Sequence, residues 1–190
     1  MNLILAGALA VLMASVPAAG QSAVDRSIRR ANLKDAAYRD AARELHEYWG
    51  GDDWIQESNI EGFQVTSTFG DLTGDGVEEA ALRVYYGMGG SGSFTGVFVY
   101  SLDGAAPRRV AAVKGGDRAE GGIKSARIAG GQLIVESYTP DPQSPCMACY
   151  GGILVTSYEW LGGRLVNVRT TSRSLPRQGT SKPQRRRRNR

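Results

Sequence analysis

Phe63-Gln64-Val65-Thr66-Ser67-Thr68-Phe69-Gly70-Asp71-Leu72-Thr73-Gly74-Asp75-Gly76-Val77-Glu78-Glu79-Ala80-Ala81-Leu82-Arg83-Val84-Tyr85-Tyr86 is the stretch on which the fold turns. Its two ends are rich in β-branched and aromatic residues, and its middle is a run of glycine, aspartate and threonine. That pattern predicts two strands, Phe63–Phe69 and Glu79–Tyr86, joined by a tight connection. The same texture continues downstream, with strands expected at Gly96–Leu102, Arg108–Val113, Ile123–Ala129, Gln132–Thr139, Ile153–Trp160 and Arg164–Arg169. Gly130-Gly131 and Gly162-Gly163 are two-residue connections where a positive φ costs little, so they favour hairpins. Eight strands with no helix between them predict a mainly β fold, an antiparallel meander forming a sandwich or open barrel.

Upstream the periodicity changes. Tyr38, Ala41, Ala42, Leu45, Tyr48 and Trp49 recur at three- and four-residue intervals, Asn32 with Asp35 resembles a capping arrangement, and Gly50-Gly51 ends the pattern. These features predict one N-terminal amphipathic helix over about 32–49, covering an open end or edge of the strands. Ser22 to Ala31 lacks that spacing and reads as a loose arm.

With 190 residues, 42% hydrophobic and 22% charged, the chain suits one domain with a sizeable core. Residues 1–20 have the layout of a signal peptide. Leu3 to Val16 is uncharged and apolar or small, and Pro17-Ala18-Ala19-Gly20-Gln21 supplies a breaker and small residues for cleavage. The apolar run falls short of the roughly 20 residues that span a bilayer. Cleavage would release a periplasmic or secreted protein, a single β-rich domain over 21–168 followed by a basic tail over 169–190.

The charge of +4 comes from that tail. Nine of the 23 lysines and arginines fall between Arg169 and Arg190, where there is no acid, leaving 14 bases against 19 acids in residues 1–168. An acidic body argues against a nucleic-acid-binding domain. From Thr170 onward the apolar pattern stops, so the tail is expected to be disordered. Its Arg185, Arg186, Arg187, Arg188 and Arg190 form a candidate polyanion site for an anionic envelope polymer or lipid surface; the plain alternative is a solvated tail without a partner.

The connection between the first two strands carries the most chemistry. Asp71, Thr73, Asp75 and Glu79 place oxygens at loop positions 1, 3, 5 and 9, Gly76 sits at the sharp turn, and Val77 offers a carbonyl at position 7. Calcium takes six to eight oxygens, and alternate residues of a tight loop can supply them. Against this stand Thr73, a poor neutral ligand, and Leu82, where an EF-hand has its bidentate glutamate. The alternative is a tight turn whose acids are solvated or cap backbone amides. Both readings stay open at this level.

This loop, Gly70 to Gly76 followed by Glu79-Ala80-Ala81-Leu82, resembles the calcium loops of FG-GAP repeats and dockerins. Together with Gly89-Gly90-Ser91-Gly92, Gly116 to Ile123, Leu133-Ile134-Val135-Glu136 and the cysteine pair before Tyr158-Glu159-Trp160, residues 63–168 are similar to exported bacterial proteins of the LppP/LprE lipoprotein type. The likeness implies export, not a particular activity. There is no cysteine near the cleavage point to carry a lipid anchor, and no propeller repeat.

Cys146 and Cys149 are the only cysteines, and in an oxidising compartment they most simply close a local disulfide. Gly151-Gly152 follows them instead of a helix, which argues against a redox dithiol, and one remote His46 cannot complete a zinc set. Gly87 to Phe94 lacks the lysine and the following helix of a phosphate loop. Ser93 stands where a nucleophile elbow needs glycine. Lys114 to Gly122 reads as a hairpin with a local ion pair among Asp117, Arg118 and Glu120, or as a contact for a ligand or partner. A carboxylate pair drawn from Glu57, Glu61, Glu136 and Glu159 is the one hydrolase chemistry that needs no histidine. The expected role is therefore a non-enzymatic binding or structural module of the cell envelope, its partner an envelope component or protein, with calcium as the one candidate cofactor.

Overall fold

The computed structural model describes residues 27–49, 62–87, 93–116, 119–141, 143 and 149–176, with backbone alone over 46–49. Among these residues one α-helix, α1 (Leu33–Trp49), precedes eight strands: β1 (Phe63–Gly70), β2 (Glu79–Gly87), β3 (Ser93–Asp103), β4 (Ala106–Gly116), β5 (Ile123–Ala129), β6 (Gln132–Pro140), β7 (Tyr150–Leu161) and β8 (Arg164–Ser174). The chain is mainly β and antiparallel, as the alternating strand runs require. The meander is two meanders: β1-β2-β3-β4 form one four-stranded sheet and β5-β6-β7-β8 the other. All eight expected strands occur in order. Gly130, Gly131, Gly162 and Gly163 all adopt positive φ in the two hairpin turns.

Period-two alternation explains the burial of β2 and β3. Ala80, Leu82, Val84 and Tyr86 of β2, with Phe94, Phe98 and Tyr100 of β3, face α1 and form one core with Ala37, Ala41 and Leu45 of the helix. The opposite-facing Ala81, Val97 and Val99 form a second core with Ile123, Leu133 and Val135, so the two sheets share it. The first sheet is therefore covered on both faces, which is why β2 and β3 read as near-continuous apolar runs.

α1 begins as its sequence indicates. The Asn32 side chain accepts from the Asp35 amide at 3.4 Å and donates to the Asp35 carboxylate. Polar contacts also clamp the helix to the sheet. The Tyr100 hydroxyl donates to Asp40 at 2.6 Å, and Arg109 donates to Glu44 at 3.0 Å while lying 5.1 Å above the Phe98 ring.

Three expectations need correction. The arm before the helix is not loose over its last residues: Ile28–Arg30 form a 3-10 turn capped by Ser27, and Ile28 is buried in the helix-side core. Arg29 pairs with Glu78 at 2.7 Å through two nitrogens and lies 4.7 Å over the Phe69 ring. A single buried isoleucine does not create a helical period, so pattern alone misses it. The boundary at 168/169 is too early, because β8 continues to Ser174, pairing Arg169 through Ser174 with Ser157 back to Gly152. This edge strand is exposed on both faces from Asn167 onward, so no apolar alternation marks it. Finally, Lys114 to Gly122 is not a hairpin: β4 and β5 lie in different sheets, and the segment is the crossover between them. No described helix is long and apolar enough to cross a membrane.

Candidate functional site

The Asp71–Glu79 connection is built by hydrogen bonds from carboxylates to its own amides. Asp71 accepts from the Gly74 amide at 2.7 Å and from the Gly76 amide at 2.9 Å, one through each oxygen. Asp75 accepts from the Val77 amide at 2.8 Å. Gly74 and Gly76 have φ of 79° and 83°, left-handed conformations that L side chains rarely adopt. Glu79, only 1% exposed, reaches back to accept from the amides of Leu72 at 2.8 Å and Thr73 at 3.1 Å, and the Thr73 hydroxyl donates to its other oxygen at 3.3 Å. Burial pushes the Glu79 pKa up and the Asp75 charge adds to this, against the hydrogen bonds from Leu72 and Thr73.

The five residues considered as calcium ligands are thus brought into one loop but serve different partners. Asp71 and Asp75 cap amides near the exposed tip, Val77 is exposed, and Glu79 with Thr73 closes the base. Among the described residues no group of three or more His, Cys, Asp or Glu side chains is placed to hold a metal ion. What the sequence did not disclose is Leu72, which the loop drives into the core between the sheets at 3% exposure.

A second arrangement lies where the two sheets meet at the crossover. Along β2 the face that carries Ala81 next carries Arg83 and then Tyr85, so the core shared by the sheets gives way to a guanidinium. Arg83 Nε donates to the Ile123 carbonyl at 2.8 Å, and the Ile123 amide donates to Thr95 Oγ1 at 2.8 Å. Thr95 Oγ1 in turn donates to the Gly116 carbonyl at 3.2 Å. Both backbone polar groups of Ile123 are thereby held by side chains of the first sheet.

The crossover also docks on the second sheet, where the Tyr138 amide donates to the Gly122 carbonyl at 3.0 Å. Gly121 permits this approach: its φ is +103°, and a Cβ there would stand 2.0 Å from the Tyr138 carbonyl oxygen. The Tyr138 ring stacks on Tyr150, with centroids 4.3 Å apart and planes at 14°. These groups, with Tyr85 and Ser93, line a cleft of about 190 Å³.

Arg83 is half-buried and makes no hydrogen bond or ion pair among the described residues beyond that of its Nε. Its two terminal nitrogens, with four N–H donors, remain uncommitted at the cleft. Ser93 is 3% exposed, and its hydroxyl makes no hydrogen bond among the described residues. The described residues that line the cleft offer hydrogen-bond donors, hydroxyls and aromatic surface. The sequence signal was Arg83 itself, one cation in the apolar run Ala80-Ala81-Leu82-Arg83-Val84.

The remaining candidates fall elsewhere. Cys149 is half-buried, its carbonyl accepting from the Asp141 amide at 2.9 Å, and Cys146 lies outside the described residues. Arg185, Arg186, Arg187, Arg188 and Arg190 lie outside them too, as do Glu57, Glu61, Ser91, Asp117, Arg118 and the His46 side chain. Glu136 is paired with Lys124 at 2.8 Å and Arg173 at 3.4 Å, and the hydrogen bond from Lys124 holds its pKa below the ordinary glutamate value. Glu159 accepts from Gln132 at 2.8 Å. No family model matches the chain, nor does any curated protein or solved structure.

Proposed function

We propose that the chain is an exported, non-enzymatic binding module of the cell envelope whose ligand contact is the Arg83 cleft. The observation that carries this reading is a half-buried guanidinium, fixed through Nε by the Ile123 carbonyl, with its terminal nitrogens left open to a walled cleft. Donors that no described protein group occupies suit a partner that arrives from outside. The wall is tied to both sheets: Arg83 and Thr95 hold Ile123, and the Tyr138 amide holds Gly122. In this reading the two sheets close as a sandwich around their shared core, and Asp71–Glu79 is an amide-capped turn and not a calcium site. Export rests on the apolar leader and on the likeness of residues 63–168 to LppP/LprE-type proteins.

Screening a fragment library by amide chemical-shift mapping tests the reading. Hits should converge on Gly122, Ile123 and Tyr138; hits scattered over the surface with none at the cleft would overturn it. Cell fractionation tests export, with a mature amino terminus near residue 20 expected outside the cytoplasm.

A second reading makes the basic tail a tether to an anionic envelope polymer or lipid. It is favoured by Arg164 and Arg169, exposed on β8, which carry the cationic run onto the folded body. Salt should then release the full chain from envelope fractions, and removal of residues 177–190 should leave it soluble without salt. Equal release of both proteins would reject the tether.

A further inference from the structure

We infer that the ligand of the Arg83 cleft is a small monoanionic carboxylate, or the acid end of a larger molecule. The inference rests on the cleft being the binding site and adds what the site selects. With Nε taken by the Ile123 carbonyl, the guanidinium presents its two terminal nitrogens side by side, a fork that matches the two oxygens of one carboxylate. Arg83 is also the one cation among the described lining residues. It balances a single negative charge, whereas a phosphate monoester brings about −1.5 to −2 and would leave part of it uncompensated.

Size and surface narrow the class further. A cleft of about 190 Å³ has room for a carboxylate and the short body that carries it. The stacked Tyr138 and Tyr150 rings line the same cleft as Arg83, and Ser93 adds a hydroxyl. A flat or C–H-rich body bearing one acid group matches that set. An acidic sugar and a peptide C-terminus both carry this chemistry.

The test is a titration of the ¹⁵N-labelled protein with glucuronate, with N-acetylalanine and with inorganic phosphate, each carboxylate being compared with its neutral analogue, glucose or N-acetylalanine amide. At least one carboxylate should move the Gly122, Ile123 and Tyr138 amides and the Arg83 Nε–H signal in a saturable manner, and the one that does so identifies the source. Its neutral analogue should bind about tenfold or more weakly, the loss expected when a charge-assisted pair is removed. Arg83→Lys should weaken the carboxylate by a similar factor, since lysine keeps the charge and loses the fork. The comparison of acid with neutral analogue needs no variant, so it stands even where Arg83→Lys folds poorly. Equal binding of acid and neutral probes at the cleft, or tighter binding of inorganic phosphate, would overturn the carboxylate while leaving the cleft as the binding site. Silence of the cleft amides to every probe would overturn both.

Discussion

Glu79 and Leu72 are joined by a 2.8 Å hydrogen bond in which the Leu72 amide donates to a carboxylate that is 1% exposed. The same oxygen accepts from Thr73, and Leu72 is itself inserted into the core between the sheets. The connection between β1 and β2 is thus closed from inside by one buried acid, while Asp71 and Asp75 order its exposed tip.

Glu79→Ala leaves the Leu72 and Thr73 amides without their acceptor, and an unsatisfied buried donor costs roughly 1–3 kcal/mol. A loss of about 2–4 kcal/mol is expected, read from the urea midpoint at unchanged m. Glu79→Gln retains one acceptor oxygen and should lose less than Glu79→Ala. Equal losses would mean that the bonds to the amides do not hold the loop.

The pH dependence follows from the same burial. Glu79 is pushed above its ordinary value of 4.5 by desolvation, so the folded protein binds this proton more readily than the unfolded chain. The stabilisation is fully present below about 4.5 and is lost as pH rises through the folded value. From the folded value down to about 4.5, the stability of the wild type relative to Glu79→Gln should grow as pH falls. Acids such as Glu136, held low by Lys124, act the other way but cancel in this difference. A difference that stays flat with pH would contradict the buried, raised carboxylate.

All eight strands were legible because glycine pairs and β-branched runs report local backbone preference, which survives without knowledge of neighbours. The division into two sheets was not legible, because hydrophobic alternation says which face of a strand is buried and not which strand covers it. Residues 169–174 escaped for a different reason. Their pairing with β7 is backbone to backbone, and side chains such as Thr170 and Arg173 face solvent on an edge. The loop residues Asp71 to Glu79 were found, yet spacing could not separate oxygens turned toward a cation from oxygens turned toward their own amides. The cleft was missed because it is assembled from β2, β3, β5, β6, β7 and the crossover, with Arg83 as its only local mark.

Tyr100 and Asp40 clamp α1 to the first sheet across 60 residues of chain, with the hydroxyl donating at 2.6 Å from a side chain that is 1% exposed. Hydrogen bonds to charged groups contribute about 1.5–3 kcal/mol. Tyr100→Phe should lose roughly that amount by equilibrium urea unfolding, since the rest of the ring stays packed. A loss under about 0.5 kcal/mol, the range of an ordinary surface substitution, would show that the clamp is incidental.

Truncation separates the contribution of β8 from that of the residues beyond it. Removing residues 177–190 should leave the urea midpoint unchanged. Removing residues 169–190 takes away the strand paired with Gly152–Ser157 and should lower the midpoint markedly. Strong amide exchange protection within 169–174 is expected in the longer protein. Equal stability of the two truncated forms would restore the shorter domain boundary.

The central claim is that recognition belongs to the Arg83 cleft and that the Asp71–Glu79 loop is architecture. One amide-resolved titration addresses both, with excess calcium added first and a carboxylate such as glucuronate second. The account predicts that calcium leaves the Gly74, Gly76 and Val77 amides in place and that the carboxylate moves Gly122 and Ile123. Calcium shifting the loop amides to saturation, with the cleft amides unmoved by the acid, would contradict it.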